Sequence, residues 1–481
     1  MRAAKVLAGA CLLAAGLSGS LWAEAPSGEP RPVPLTRPEM KRVLEGLKQR
    51  RQRIPLPADA GAADQPAGTM NSYESQLRSA YLPPSDSMAA YGFMRQPDPK
   101  MTLDYLFKTK MFWIVSRTNN CHYCLGHQEI KLSLAGMLED QIAALDSDWS
   151  EFTPAEQAAF KFARKLTFDP QHLSDADIEA LRPHFNDPQI LEIIFSLAGN
   201  NAINRWKEGA GIPQEPTAAH FVARQTEPVP QDRPLPIESF LTPTADRFQA
   251  RPTEVASHEA AGGAEAAEPK TGAATSAATE NAQLARPKLG DWKRQLEGRD
   301  EAERRLELCR HRTPRLPLVD DEAARQLLGD HWTSTEPIPQ WMRLLANFPV
   351  HGVARIVSGL EADESGDLSP LVKAQVSWIV ARQDRAWYAT GEAMRRLKTL
   401  GQTDEQIWAL DGDWSAFPES SRAMFRLARN LAASPIVLTD ADVQSALAAV
   451  GPRDVVQLIY YTTNRASFDR LTEAAGLQLE N

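Results

Sequence analysis

An all-α fold is predicted by three features of the sequence. Apolar residues recur at three- and four-residue spacing, polar caps open those runs, and no segment alternates between hairpin turns as a strand would. From Met101 onward Leu103, Leu106, Phe107, Met111, Ile114 and Val115 mark a first helix, which leads into the Cys121 segment and on through Ile130, Leu132 and Leu134 to Gly136. Thr153-Pro154-Ala155-Glu156 opens the next, with Thr as N-cap, Pro in the first turn and a carboxylate in the capping-box position. Ser174-Asp175-Ala176-Asp177 opens another, and Asp187-Pro188 a third that runs to about Trp206. Upstream, a charged helical stretch spans Pro38 to Arg53 within an extension rich in Pro, Ala and polar residues.

A chain of 481 residues exceeds one ordinary core and suggests two domains with linkers. The expected organisation is a signal peptide over 1–25, a Pro/Ala-rich extension over 26–100, a CxxC-bearing domain over 101–225, a disordered linker over 226–290 and a second domain with its own extension over 291–481. The linker assignment rests on Ser257 to Ala285, mostly Ala, Glu, Gly and Thr, which buries too little surface to offset the entropy of ordering. The first residues read as a secretory signal, with Arg2 and Lys5, the apolar run Val6 to Leu17 and a small-residue end at Ser18 to Ala25. Export to the periplasm or beyond is therefore expected. A net charge of -9 argues against nucleic acid as a partner, because phosphate binding needs a basic surface.

The chain repeats itself at a constant offset of 265 residues. Trp113-Ile114-Val115 returns as Trp378-Ile379-Val380, and Asp148-Trp149-Ser150 as Asp413-Trp414-Ser415. Phe160, Ala163, Arg164 and Leu166 return as Phe425, Ala428, Arg429 and Leu431, and Arg205 as Arg470. The similarity extends upstream at a slightly shorter offset, where Arg53-Ile54-Pro55-Leu56 echoes Arg315-Leu316-Pro317-Leu318. A duplicated domain is an internal control on which positions matter. Cys121, Cys124 and His127 fall on Ala386, Ala389 and Glu392, whereas Tyr123 and Gly126 persist as Tyr388 and Gly391. The scaffold is shared and the thiols are not, which assigns the thiols to chemistry.

Of four cysteines, Cys11 leaves with the signal, Cys309 stands alone, and Cys121 and Cys124 form the only close pair. Asn119-Asn120 is an N-cap signal that places Cys121 in the first turn of a new helix, where the dipole and free N–H groups lower a thiol's pKa. Cys124 lies three residues on, on nearly the same face, and His127 a further three on, within reach of Cys124 as proton donor or acceptor. The candidate catalytic residues are Cys124, Cys121 and His127. Three other readings stand beside redox catalysis: a structural disulfide, a metal site at Cys121, Cys124 and His127, and a binding or scaffolding protein that keeps a vestigial site.

The segment Asn120-Cys121-His122-Tyr123-Cys124 with His127 resembles the active-site motif of the carboxymuconolactone decarboxylase-like superfamily, in particular its alkylhydroperoxidase-D branch. The likeness covers about Met101 to Pro213 and includes Asn201-Ala202-Ile203-Asn204-Arg205 and the ending Gly209-Ala210-Gly211-Ile212-Pro213. About Leu371 to Gln478 keeps only the scaffold, with Asn464, Arg470 and Gly476-Leu477. The resemblance implies two tandem all-helical domains and a thiol peroxidase or disulfide oxidoreductase. Cys124 would attack a hydroperoxide, Cys121 would resolve the sulfenic acid to a disulfide, an external dithiol or thioredoxin-like protein would reduce it, and His127 would relay protons. It implies no cofactor and packing into a homo-oligomer, while the duplication by itself predicts an intrachain pseudo-dimer. The chain departs from the pattern in two places. The family histidine usually sits four residues after the second cysteine, where this chain has Gln128, and a family glutamate twelve residues before the first cysteine is here Thr109, with Glu129 or Asp104 as substitutes.

Overall fold

The computed structural model describes residues 30–31, 33–58, 72–83, 98–214 and 296–480. The expected signal, the linker core and most of the extension between 59 and 97 lie outside the described residues. Everything described is helix or connection, and among the described residues there is no strand, so the fold is all-α.

Seventeen α-helices follow one another among the described residues. The extension contributes α1 (Arg37–Gly46) and α2 (Tyr73–Tyr81). Next come α3 (Tyr105–Asn119), α4 (His122–Leu134), α5 (Glu139–Ala143), α6 (Pro154–Phe168), α7 (Asp175–Glu179) and α8 (Asp187–Ala210). The second stretch holds α9 (Arg299–Arg310), α10 (Asp321–Leu328), α11 (Gln340–Leu345), α12 (His351–Glu364), α13 (Pro370–Asp384), α14 (Trp387–Thr399), α15 (Asp404–Trp408), α16 (Glu419–Ala432) and α17 (Asp440–Ala475).

The expected starts are visible as caps. Glu156 N donates to Thr153 Oγ1 while Thr153 N donates to Glu156 Oε2, and Ser174 N donates to Asp177 Oδ2. The charged stretch near Pro38 ends sooner than expected. Thr36 caps α1, but regular helix stops at Gly46, passes through a 3₁₀ turn over Leu47–Gln49 and leaves it at Arg50 with ψ 125°.

Helix bounds in the two stretches coincide after the 265-residue shift. Helices α3, α4 and α5 map onto α13, α14 and α15, and α8 maps onto the part of α17 beyond its break at Gly451 (φ 80°), just before Pro452. Left-handed residues map too: Asn120 on Arg385, Trp149 on Trp414 and Gly211 on Gly476. The extension helix α1 maps onto the start of α9 at an offset of 262.

The two stretches pack against each other through α8 and α17, and their contacts are reciprocal. Arg205 Nη2 donates to Ala432 O at 2.7 Å, and Arg470 Nη2 to Thr167 O at 3.3 Å, where 432 and 167 are matching positions. Arg53 Nε reaches Asp440 Oδ1 at 2.6 Å in the second stretch, and Arg315 Nε reaches Asp175 Oδ1 at 2.8 Å in the first. Each of these arginines also donates to the carbonyl of the matching glutamate, Glu208 O at 2.5 Å or Glu473 O at 2.6 Å. Gly211 and Gly476 are required here, because a Cβ would meet the Arg53 or Arg315 side chain and both residues have positive φ. The apolar core is continuous between the stretches. One cluster joins Trp113, Phe160 and Ile193 to Leu345, Phe348 and Leu477, and a second joins Ile54, Cys121 and Cys124 to Leu431 and Ile459.

Candidate functional site

Helices α3 and α4 meet with almost no connection, and the thiols sit at that joint. Asn119 closes α3, and Asn120 ends it in the left-handed conformation (φ 59°, ψ 33°), which asparagine tolerates better than most side chains. Cys121 then becomes the N-cap of α4 itself, its Sγ accepting from Cys124 N at 3.4 Å. The expected assignment, with Asn119-Asn120 as cap and Cys121 inside the first turn, is corrected by one residue. The asparagines finish the preceding helix, so the capping falls to the thiol.

Both cysteines are free thiols and fully buried, Cys121 at 0% and Cys124 at 1% exposure. The expectation of a thiol acidified by the helix terminus fails at Cys121. Burial pushes this thiol well up, reinforced by its hydrogen bond to Cys124 and by charge on Cys124 and Glu208; the N–H donated by Cys124 opposes this and loses. Desolvation thus outweighs the helix dipole at Cys121. His127 lies half-buried on α4 and stacks on the Tyr123 ring, centroids 5.0 Å apart. Gln128 Nε2 donates to Cys124 O at 3.2 Å.

The extension, whose role the sequence left open, closes over this joint. Arg31 and Arg50 both reach Glu208 Oε2 near the end of α8, Arg50 at 3.2 Å, and Glu208 is buried. Burial alone would raise the Glu208 carboxyl, but Arg31, Arg50 and Arg53 hold it well below the usual range. His122, which follows Cys121, is buried and shares its Nε2 with Asn120 Oδ1 at 2.9 Å. Burial and neighbouring Arg31 pull its imidazole down to about 3, so it is neutral near pH 7. Helix α2 adds Glu74, buried and bound by Lys207, by Arg78 at 3.2 Å and by Trp206 Nε1 at 2.7 Å. Lys207 Nζ lies 4.4 Å from the centroid of Tyr123, which joins this ion cluster to α4.

Below the joint lies an amide network. Asn119 Nδ2 donates to Asn201 Oδ1 at 2.8 Å and to Asn204 Oδ1 at 3.0 Å. Asn201 donates on to Thr167 Oγ1 at 3.1 Å, and Arg205 Nη1 to Asn201 Oδ1 at 3.0 Å. The Asn-Arg segment singled out in the sequence is therefore the floor beneath the residue preceding the thiol turn.

The two substitute relay carboxylates are placed elsewhere. Glu129 is held by Arg37 at 2.9 and 3.0 Å and by Trp113 Nε1 at 2.7 Å, and Asp104 caps α3 through Phe107 N at 2.9 Å. The carboxylate beside the thiols is Glu208, which motif reasoning missed. Its signal was present, because Glu208 maps onto Glu473 and Arg50 onto Arg312, whose Nη1 lies 3.0 Å from both Glu473 oxygens. Among the described residues no group of three or more His, Cys, Asp or Glu side chains is placed to hold a metal ion.

No protein-family model matches the chain, and no curated protein matches it.

Proposed function

We propose that this protein is an exported thiol-dependent peroxidase or disulfide oxidoreductase, built from two tandem alkylhydroperoxidase-D-like units of which only the first carries thiols. The observation that carries the reading is the free pair itself. Cys121 and Cys124 are one helical turn apart, hydrogen-bonded to each other, and located at a joint whose counterpart holds Ala386 and Ala389 in matching helices. A pair that only held the fold together would be needed in both halves. The reciprocal arginine contacts support a pseudo-dimer within one chain, with the second unit backing the first one's site.

In the proposed cycle Cys124 attacks a hydroperoxide, forming the S–O bond as the O–O bond breaks and the alcohol leaves. The Cys121 sulfur then attacks Cys124, the sulfenic oxygen departs as water with the Cys121 proton, and an external dithiol reduces the disulfide. Because both sulfurs are buried, substrate entry requires displacement of the covering extension at Arg31 and Arg50. Reduced protein should consume about one equivalent of hydroperoxide per thiol pair, with an intramolecular disulfide forming, and Cys124→Ser should abolish this. Inert wild-type thiols would refute the reading and leave the binding or scaffolding alternative.

A further inference from the structure

The two halves hold one matching carboxylate in two arrangements. In the second half Glu473 Oε1 accepts from Trp387 N at 2.6 Å and from Tyr388 N at 3.4 Å, so it caps α14. Arg312 Nη1 lies 3.0 Å from both of its oxygens. In the first half Glu208 makes no such cap. Its Oε2 is taken by Arg31 and Arg50, and its buried Oε1 has no hydrogen-bond partner among the described residues. The added component is Arg31, which belongs to the stretch preceding α1. That stretch meets the thiol turn at three points. Arg31 O accepts from Asn120 Nδ2 at 3.4 Å, Arg31 Nη1 is 3.4 Å from His122 Nδ1, and Pro34 O accepts from Arg117 Nη2 at 2.6 Å. Asn120 and His122 flank Cys121, so Arg31 grips the chain on both sides of the thiol. Val33 and Pro34 are buried, whereas the Arg31 side chain keeps 32% exposure against 1% for Glu208.

We propose that the stretch carrying Arg31, Val33 and Pro34 is an autoinhibitory strap over the thiol turn, latched by Arg31 on Glu208. When Arg31 lets go, Glu208 swings to the first turn of α4. There His122 N and Tyr123 N stand where Trp387 N and Tyr388 N meet Glu473, and Arg50 follows the carboxylate as Arg312 does. The strap then leaves Asn120 and His122 and opens a way to Cys121 and Cys124, which are buried while it is in place. Glu208 loses one charged donor and gains two backbone donors at a helix N-terminus that favours its charge. An exchange of that kind lets a segment open while the domain stays folded. The remainder of the extension stays docked, with Arg53 on Asp440 and Leu47 and Ile54 in the apolar cluster that holds the thiols. The strap deepens the peroxidase reading, and its use as a control of hydroperoxide entry rests on that reading.

The test is the rate of alkylation of each cysteine by excess iodoacetamide on the reduced full-length protein, read by peptide mass spectrometry. Cys309, 0% exposed on α9 and away from the strap, reports global opening in the same sample. Arg31→Ala should speed labelling of the Cys121/Cys124 peptide by about tenfold or more. The Cys309 rate should stay within about twofold of wild type. If Arg31→Ala does not fold, Arg31→Gln keeps a donor without the charge and should move the same ratio in the same direction. Because Arg31 acts through Glu208, adding Arg31→Ala to Glu208→Gln should change the rate by less than about twofold. An unchanged rate at the pair, an equal rise at Cys309, or full additivity of the two substitutions overturns the proposal. A crystal structure of Arg31→Ala supplies the second measurement. It should show Glu208 bonded to His122 N as Glu473 is to Trp387 N, and a carboxylate left where it was overturns the swing. Neither readout involves peroxide. Thiols that are inert to hydroperoxide but released by Arg31→Ala would refute the peroxidase reading and leave the strap standing.

Discussion

Replacing Arg470 by Met should destabilise the protein far more than replacing Arg205 by Met, although the two arginines occupy matching positions and both are 0% exposed. The difference lies in what each faces. Arg470 forks onto Asp384, Nη1 to Oδ2 at 2.6 Å and Nη2 to Oδ1 at 3.1 Å. Arg205 faces neutral acceptors, Ala432 O at 2.7 Å, Ser434 Oγ at 2.8 Å and Asn201 Oδ1 at 3.0 Å. Removing Arg470 takes from the buried Asp384 carboxyl the guanidinium that forks onto it, and breaking such a pair from one side costs about 3–5 kcal/mol. Removing Arg205 strands uncharged groups at roughly 1–3 kcal/mol. Part of that is offset, because burial and Arg470 already pull the Arg205 guanidinium down to about 9, so its charge is strained in place. The net cost should be about 1–2 kcal/mol. The first half carries Asn119 where the second has Asp384. Arg470→Met/Asp384→Asn should therefore recover about half or more of the loss. Guanidinium unfolding followed by tryptophan fluorescence reads these differences as midpoint shifts at constant slope. The reasoning is refuted if the two single variants fall within about 1 kcal/mol of each other, or if Asp384→Asn recovers nothing.

Three further outcomes follow from the same contacts. His122 is held down to about 3 in the folded protein against about 6.5 unfolded, so its contribution is full above pH 6.5 and is lost as pH falls toward 3. The stability gap between wild type and His122→Asn should change by roughly 3–5 kcal/mol between pH 7 and pH 3, and a gap independent of pH counts against it. At Gly391 a methyl group would overlap the Leu479 side chain, with Cδ1 at 2.5 Å, so Gly391→Ala should cost about 1–3 kcal/mol. That cost should largely vanish in a Leu479→Ala background, and an equal cost in both backgrounds would show that Leu479 is not the obstacle. Finally, a protease site introduced between residues 226 and 290 should allow cutting without separation, because α8 and α17 and the reciprocal arginine bonds hold the halves. Fragments that elute apart at micromolar concentration would disprove this.

Much of the frame was legible because it depends on local chemistry. Thr153 with Glu156, Ser174 with Asp177, and the start near Asp187 are decided within one turn of sequence, and the structure has them where cap chemistry puts them. The one-residue error at Cys121 has a local cause as well. Two adjacent asparagines offer both a cap and a left-handed stop, and neighbouring residues do not say which wins. Thiol acidity was misjudged for a different reason, since the helix dipole is readable from sequence whereas desolvation depends on what folds over the site. Arg31 and Arg50 cover Glu208 from sequence distances of 177 and 158 residues, beyond any motif window. They could still have been found by carrying the repeat through its polar positions, since Arg50 and Glu208 recur as Arg312 and Glu473.

The thiol-less half is more than a remnant, because it holds the joint that carries Cys121. Ile436 N donates to Asn119 O at 3.2 Å, and Ser434 Oγ donates to Asn119 Oδ1 at 3.0 Å. Asn119 is the last residue of α3, so two bonds from the second half fix the point where α4 begins. Ser434 also accepts from Arg205 and Arg470, which ties both Asn-Arg segments to the same hydroxyl. A half that has lost its thiols while keeping these contacts is constrained by the geometry of its neighbour. Its own amides at the positions of Asn119 and Asn204 have become Asp384 and Asp469, with Arg470 neutralising the first and burial beside Asp384 pushing the second well up toward its neutral form. Chemistry was free to change on that side. The backbone that positions Cys121 was not, which is why the repeat keeps its register where the halves touch and differs in its residues at Cys121 and Cys124.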